Sequence, residues 1–327
     1  MKKHIFALSL SAMLFALCVP VSAQQPGKVF RIGFLDPSNA SGMAVMVDAF
    51  RREMNKLGWI EEKNITIEYR FAESKGDKRI KELAADLVHL KVDLIVVTGP
   101  NAGLAAKNST ATIPIVNASG GDLVSAGLVA SLARPGGNVT GLTSLDPQLI
   151  TKRLAVLKDA VPKLARVGLL WTQPGQGGQL KELRPAAQAL KLKLEEIETQ
   201  LDAKGLESAF QAAKQKQVGA IMTTGIRSFF AQRKRIVELA GRYRFPTIYF
   251  QREFVDEGGL MSYGVDYDDL FRKTAHYVDK ILKGAKPVDL PVQQATKFEF
   301  IINLKAAKQI GLTIPPDVLA RANQVIR

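Results

Sequence analysis

Six short polar runs carry the side chains of this 327-residue chain best suited to engage another molecule. They are Asp36-Pro37-Ser38-Asn39, Thr98-Gly99-Pro100-Asn101, the stretch from Asn117 through Ser119 to Asp122, Trp171-Thr172-Gln173, Thr223-Thr224-Gly225, and Phe250-Gln251-Arg252. Their hydroxyls and amides offer hydrogen bonds, and Trp171 offers a flat apolar face. Small residues beside them let a molecule approach backbone N–H groups, which favour anionic partners at helix N-termini. This is the chemistry of non-covalent recognition. Signals for covalent chemistry are weaker: the chain has no G-x-G-x-x-G, no G-x-x-x-x-G-K-[ST] and no G-x-S-x-G. With three His and one Cys, neither a metal centre nor a bound cofactor is expected.

Each candidate also has a structural alternative. Ser38 and Asn39 suit the N-cap of a following helix, and Thr98 and Asn101 suit the next one in the same way. Asp122 suits a loop that bonds its own backbone. Trp171 serves a cleft wall or a core equally well, and strand alternation leaves the direction of Tyr249 open. Thr172, Thr224 and Gln251 are candidates by position alone. His89 and His276 fall on predicted helices without partner ligands, so packing or surface roles are expected of them.

The runs matter because of what precedes them. Residues 29–35, 65–71 and 92–98 read as strands, the last a continuous apolar run suited to cover on both faces. Residues 43–57 read as a helix, and Ile80, Leu83, Ala84, Leu87 and Val88 recur at helical spacing. Alternating strands and helices imply parallel sheets of βαβ units. In such sheets ligands bind beyond the carboxyl ends of the strands, where the polar runs lie.

The pattern occurs twice. Arg31-Ile32-Gly33-Phe34-Leu35 is echoed by Arg166-Val167-Gly168-Leu169-Leu170, the strand before Thr98-Gly99 by the one before Thr224-Gly225, and Ile113-Pro114-Ile115-Val116 by Phe245-Pro246-Thr247-Ile248. Three echoes in one order predict two similar open α/β lobes. The expected division gives residues 28–143 plus 252–288 to lobe I and 146–250 plus 290–327 to lobe II. Hinges are expected near 143–147, 250–253 and 288–296.

The first residues read as a targeting segment. A basic start, Met1-Lys2-Lys3-His4, precedes an uncharged apolar run over 5–19 and the small residues Val21-Ser22-Ala23. That is a secretory signal over residues 1–23, with cleavage expected after Ala23. The run is shorter than the roughly 20 residues that span a bilayer. Cys18 leaves with it, so the mature chain tolerates an oxidising compartment. Export without an anchor predicts the periplasm of a two-membrane bacterium. The net charge of +14 would suggest nucleic acid in a cytosolic protein. Export and the dispersal of the basic residues over predicted helix faces argue against that partner.

Three segments carry a family resemblance: Gly258-Gly259-Leu260-Met261-Ser262-Tyr263-Gly264, the 134–141 run Arg-Pro-Gly-Gly-Asn-Val-Thr-Gly, and 277–291 followed by Thr296-Lys297-Phe298-Glu299. Together they resemble the ABC-transporter substrate-binding proteins that include tryptophan-binding members, over about residues 30–320. The resemblance implies a type I periplasmic binding protein: α/β, two Rossmann-like lobes with parallel sheets joined by three hinge crossovers, and one small-molecule ligand in the cleft. It implies a membrane ABC permease as partner, a monomer, and no catalysis. Asp122 matches an acidic position of the family, although Leu123 stands where Pro is usual. The 134–141 run reads as a structural turn. Tryptophan-binding members carry an acid in the loop matching Thr224-Gly225-Ile226-Arg227, where this chain has none. That departure argues against an amino acid and favours a small planar or aromatic organic ligand, neutral or anionic, with Arg227 or Arg252 as the partner of a carboxylate where the ligand carries one. The rival readings are an enzyme on the same fold, a ligand-responsive repressor core, which would need a DNA-binding helix pair ahead of the first strand, and a receptor serving a sensor protein.

Overall fold

The computed structural model describes residues 28–73, 75–144, 146–173 and 177–327; the expected signal segment and its cleavage site lie outside them. The first sheet contains β1 (Phe30–Asp36), β2 (Ile65–Phe71), β3 (Leu94–Thr98), β4 (Ile115–Ser119), β5 (Val139–Thr143) and the short β11 (Gln293–Gln294), in the order β11-β5-β4-β3-β1-β2, all parallel. The second contains β6 (Arg166–Trp171), β7 (Lys193–Glu198), β8 (Ala220–Thr223), β9 (Thr247–Tyr249), β10 (Met261–Val265), β12 (Phe298–Asn303) and β13 (Gln324–Ile326), in the order β13-β12-β10-β9-β8-β6-β7. Its one antiparallel pair is β10 with β12. In each sheet the first strand lies between the second and third, which creates the switch point where loops diverge and leave a crevice.

Helices cover both faces, as continuous apolar strands require. All five residues of β3 are buried, with Leu94 and Val96 in one core and Ile95 and Val97 in another. In the first lobe the helices are α1 (Ala40–Lys56), α2 (Asp77–His89), α3 (Pro100–Ser109) and α10 (Tyr267–Leu282); α10 packs on α1 and β4. In the second they are α4 (Asp146–Ala160), α5 (Gly177–Ala189), α6 (Ala203–Gln215), α7 (Arg227–Ala231), α8 (Arg233–Tyr243), α9 (Glu253–Asp256), α11 (Leu304–Gln309) and α12 (Pro316–Ala320). One apolar cluster is continuous between the lobes, joining Phe34, Phe50 and Phe271 to Phe229, Phe230 and Phe254.

Two glycines explain the sequence runs that stand out most. At Gly264 a Cβ would lie 1.9 Å from the Phe250 carbonyl oxygen, so β10 reaches the β9 tip only without a side chain there. Gly141 has φ +123°, and a Cβ on it would meet the Asn117 carbonyl oxygen at 2.2 Å. The 134–141 turn therefore delivers β5 against β4 at a position only glycine accepts.

The lobes are connected three times: between β5 and α4, between β10 and α10 at Asp266, and between β11 and β12. The first crossing runs from Thr143 to Asp146. The second lies past the expected 250–253, because Met261 and Ser262 pair with Ile248 and Tyr249 in the second sheet. Residues 252–265 thus remain with the second lobe. The third follows Gln294, because Gln293 and Gln294 pair with Leu142 and Thr143, so 290–294 belong to the first sheet. The crossings are bonded to one another: the Ala295 N–H donates to the Thr143 carbonyl (2.9 Å), and the Asp266 N–H to the Lys297 carbonyl (3.0 Å). Asp269, just inside α10, pairs with Lys297 (3.1 Å) and Lys273 (2.7 Å).

Candidate functional site

The strand tips of the two sheets are joined across the cleft by hydrogen bonds. On the first-lobe side Asp36 ends β1, fully buried. Its carboxylate accepts the Ser38 N–H (2.7 Å), the Ser38 hydroxyl and, from the neighbouring β3 tip, the Thr98 hydroxyl. Both hydroxyls therefore donate inward and keep their lone pairs as acceptors. Ser38 and Thr98 are thus paired across the switch point by a carboxylate that sequence reasoning placed in the loop without giving it a role. Ser119, buried at the β4 tip, sits beside Thr98 in the ladder.

On the second-lobe side, Thr224 is buried at the end of β8, and its N–H donates to the Leu170 carbonyl (3.1 Å). Gln251 is buried beyond β9. Trp171 and Thr172 are half-buried at the β6 tip, with Trp171 against the outer core of that lobe. Gln179 of α5 holds the loop after β8, accepting the Gly225 N–H at 2.8 Å. Arg153 of α4 is fully buried and donates to the Tyr263 carbonyl (3.3 Å). Neither has a sequence signature, since each looks like any polar residue on an amphipathic helix.

Arg227 spans the gap. Its Nη2 donates to the Ser119 hydroxyl oxygen (2.8 Å) in the first lobe, and its Nη1 to Gln251 Oε1 (3.2 Å) in the second. Nη1 also lies 3.2 Å from Met46 Sδ on α1, and the guanidinium stands 4.6 Å from the Tyr267 ring centroid, at the second crossing. The lobes also approach at Gly42 on α1, where a Cβ would lie 3.4 Å from Ala231 Cα of α7.

The other candidates have partners of their own. Asn39 caps α1, accepting the Gly42 N–H at 2.7 Å. Asn101 is exposed and donates to Asp77 (3.1 Å). Asp122 accepts the Ser125 hydroxyl (2.6 Å) and the N–H groups of Ser125 and Val124; the Ser125 bonds foremost hold its carboxyl below the usual range. Tyr249 is not brought to the cleft: it is buried and stacked on Phe254 (centroids 4.5 Å, planes 9° apart), and burial pushes its phenol pKa up. Its direction follows from strand alternation in β9, which sequence alone could not phase. Arg252 is exposed and pairs with Asp256 (3.4 Å) and Glu299 (3.9 Å). Burial raises the Glu253 carboxyl pKa, against the pull of Arg227 and Arg233. Among the described residues no group of three or more His, Cys, Asp or Glu is arranged to hold a metal, and no helix is long and apolar enough to cross a membrane.

The chain is similar to known proteins. The family model described as ABC transporter substrate binding protein matches residues 32–326. A curated tyrosine-binding protein of Clostridioides difficile (strain R20291) is 27% identical over 268 residues, covering 80% of this chain and 75% of that protein. A conserved domain protein from Vibrio cholerae superposes with a TM-score of 0.83 at 28% identity, over 91% of this chain and all of that one. The ABC domain from Streptococcus pneumoniae solved in complex with L-Trp gives a TM-score of 0.81 at 25% identity, over 91% and 99% of the two chains.

Proposed function

Because the chain belongs to the ABC transporter substrate-binding protein family, we propose that it is the periplasmic receptor of an ABC importer. In this reading it is exported by its signal segment, closes two lobes on one small planar or aromatic organic molecule, and passes that molecule unaltered to a membrane permease. It acts as a monomer, without nucleic acid and without catalysis. The observation that carries the reading is the meeting of the two sets of strand tips, with Ser38, Thr98 and Ser119 on one side, Thr224 and Gln251 on the other, and Arg227 between them. Trp171 and Thr172 extend the second side, where an indole can stack on a flat ligand. The relatives described as tyrosine-binding and as complexed with L-Trp support an aromatic guest.

The mechanism is hinge closure about the three crossings, with residues 28–144 plus 267–294 moving against 146–265 plus 298–327. A ligand shifts such an equilibrium only by its differential affinity for the closed form, so contacts made by both lobes at once drive it. Arg227 makes such contacts. The test is native mass spectrometry of the purified protein followed by a crystal structure with the copurifying molecule. Density between Ser119 and Gln251 is expected. A guest lodged elsewhere, or converted into product on incubation, overturns the reading.

A further inference from the structure

We propose that Arg227 is the carboxylate-recognition residue of the cleft, and that the ligand is an aromatic carboxylate without a neighbouring ammonium. This rests on the reading of the inter-lobe cleft as the ligand site. Arg153, Arg233, Arg235 and Arg252 of the second lobe are otherwise engaged. Arg252 pairs with Asp256 and Glu299, Arg233 with Glu257 (3.3 Å), Arg235 with Glu207 and Glu238 (2.8 Å each), and Arg153 is enclosed behind the strand tips. Arg227 differs. Among the described residues its side-chain hydrogen-bond acceptors are neutral, a hydroxyl, an amide oxygen and a thioether, and the acid within its electrostatic reach, Glu253, is one whose ionisation burial opposes. A carboxylate in their place would form charge-assisted bonds about twice as strong as neutral ones, in the forked geometry a guanidinium favours. The Tyr267 ring lies against the guanidinium, its centroid 4.6 Å away, and favours the charged group there. One anion held there would touch the residue that bonds both lobes.

Among the described residues the ammonium of an amino acid has no comparable seat. The loop Thr224-Gly225-Ile226-Arg227 holds no acid. Asp36 is engaged by the Ser38 N–H and two hydroxyls. Glu253, which Gln251 approaches at 3.5 Å, is the acid whose ionisation burial opposes. Ser38, Thr98 and Ser119 remain suited to neutral donors on the guest.

Two matched series separate the groups: 3-(4-hydroxyphenyl)propanoate, L-tyrosine and tyramine, and 3-indolepropionate, L-tryptophan and tryptamine. Binding of each to the mature protein is measured by calorimetry, for the native sequence and for Arg227→Gln, Arg227→Lys and Arg252→Gln. The acid of one series is expected to bind at least as tightly as its amino acid, and its amine at least about a hundredfold more weakly. Arg227→Gln is expected to lower acid affinity by about tenfold to a hundredfold, Arg227→Lys to recover part of it, and Arg252→Gln to change nothing. Ligand-free melting of each variant separates this from loss of fold. Binding of the amino acid or amine but not the acid overturns the inference while leaving an aromatic ligand in place. So does undiminished acid binding in Arg227→Gln. No binding by any of the six overturns the aromatic-ligand reading itself, and the inference with it.

Discussion

Gly42 sits in the first turn of α1, and a Cβ there would lie 3.4 Å from Ala231 Cα on the opposite lobe and 3.0 Å from Asn39 Oδ1. Leucine at this position places three further carbons in a space where the closed lobes already meet. In the open form the α7 neighbour is withdrawn, and helix propensity favours the substitution by nearly 1 kcal/mol over glycine. Overpacking costs about 1–3 kcal/mol, and the share of it that arises against Ala231 falls on the closed form alone. Taking that share as about 2 kcal/mol gives a closed-to-open ratio lowered roughly thirtyfold. Ligand affinity falls by the same factor if the ligand binds only the closed form and that form is the minor one without ligand. Gly42→Leu should therefore weaken binding of the copurifying ligand by about thirtyfold in calorimetry. At a ligand concentration that just saturates the native protein, the variant's radius of gyration in solution scattering should stay nearer the open value. The ligand-free melting temperature should hold, because the clash with Ala231 is absent when the lobes part and the gain in helix propensity offsets the crowding of Asn39 within the first lobe. Unchanged affinity with unchanged scattering would refute the argument, since it would mean that α1 and α7 do not approach when the site fills.

Gly264→Ala should destabilise the protein by about 3 kcal/mol or more in urea unfolding, because its Cβ would lie 1.9 Å from a backbone oxygen that can move only with the β9 tip. Trp59 and Trp171 are the two tryptophans; Trp59→Phe should keep the ligand-induced change in emission, and Trp171→Phe should lose it. Burial alone would raise the Asp269 carboxyl pKa, but Lys273 and Lys297 hold it below its ordinary 3.8. A depressed folded pKa gives stability that is present above the unfolded value and lost as pH falls through the folded one. Chemical denaturation of the native protein should thus lose stability on acidification below about pH 4, and Asp269→Asn should lose measurably less over the same window.

What the sequence reveals and what it hides divide along physical lines. The two lobes are legible because buried parallel strands are apolar without interruption, as in Leu94–Thr98, and because their order repeats. The tips of β1, β3, β4 and β8 are legible because each apolar run stops at small polar residues. The second crossing is not. The sequence places it at 250–253, yet Gly264 lets β10 approach Phe250, so that residues 261–265 remain in the second sheet. Partnership across the chain is hidden as well. Nothing local to Asp36 says that it accepts from Thr98, 62 residues on. Nothing local to Asn101 says that it turns to Asp77. Arg227 was visible as a basic residue after a strand, but its selection over Arg252 needed the partners of both: one bonded to neutral atoms of two lobes, the other between two exposed acids.

That difference bears on why closure should await the ligand. A guanidinium in the open cleft is hydrated. Closing the lobes replaces that water with a hydroxyl, an amide oxygen and a thioether, which are poorer partners for a charge, in a medium of lower dielectric constant. The ligand-free closed form therefore carries a desolvation cost that the open form does not. A carboxylate arriving with the ligand removes most of it, and the same low dielectric then strengthens the pair. On the inference drawn above, recognition and closure are one event: the charge that identifies the guest is the charge that makes the closed state favourable. Arg227→Gln should then have a second effect beyond weaker acid binding. With no charge to desolvate, and with an amide still able to bond Ser119, the ligand-free variant should populate the closed form more than the native protein does. Its ligand-free radius of gyration should be smaller. A ligand-free radius equal to or larger than that of the native protein would show that the arginine holds the lobes together by its neutral contacts and that charge does not gate the motion.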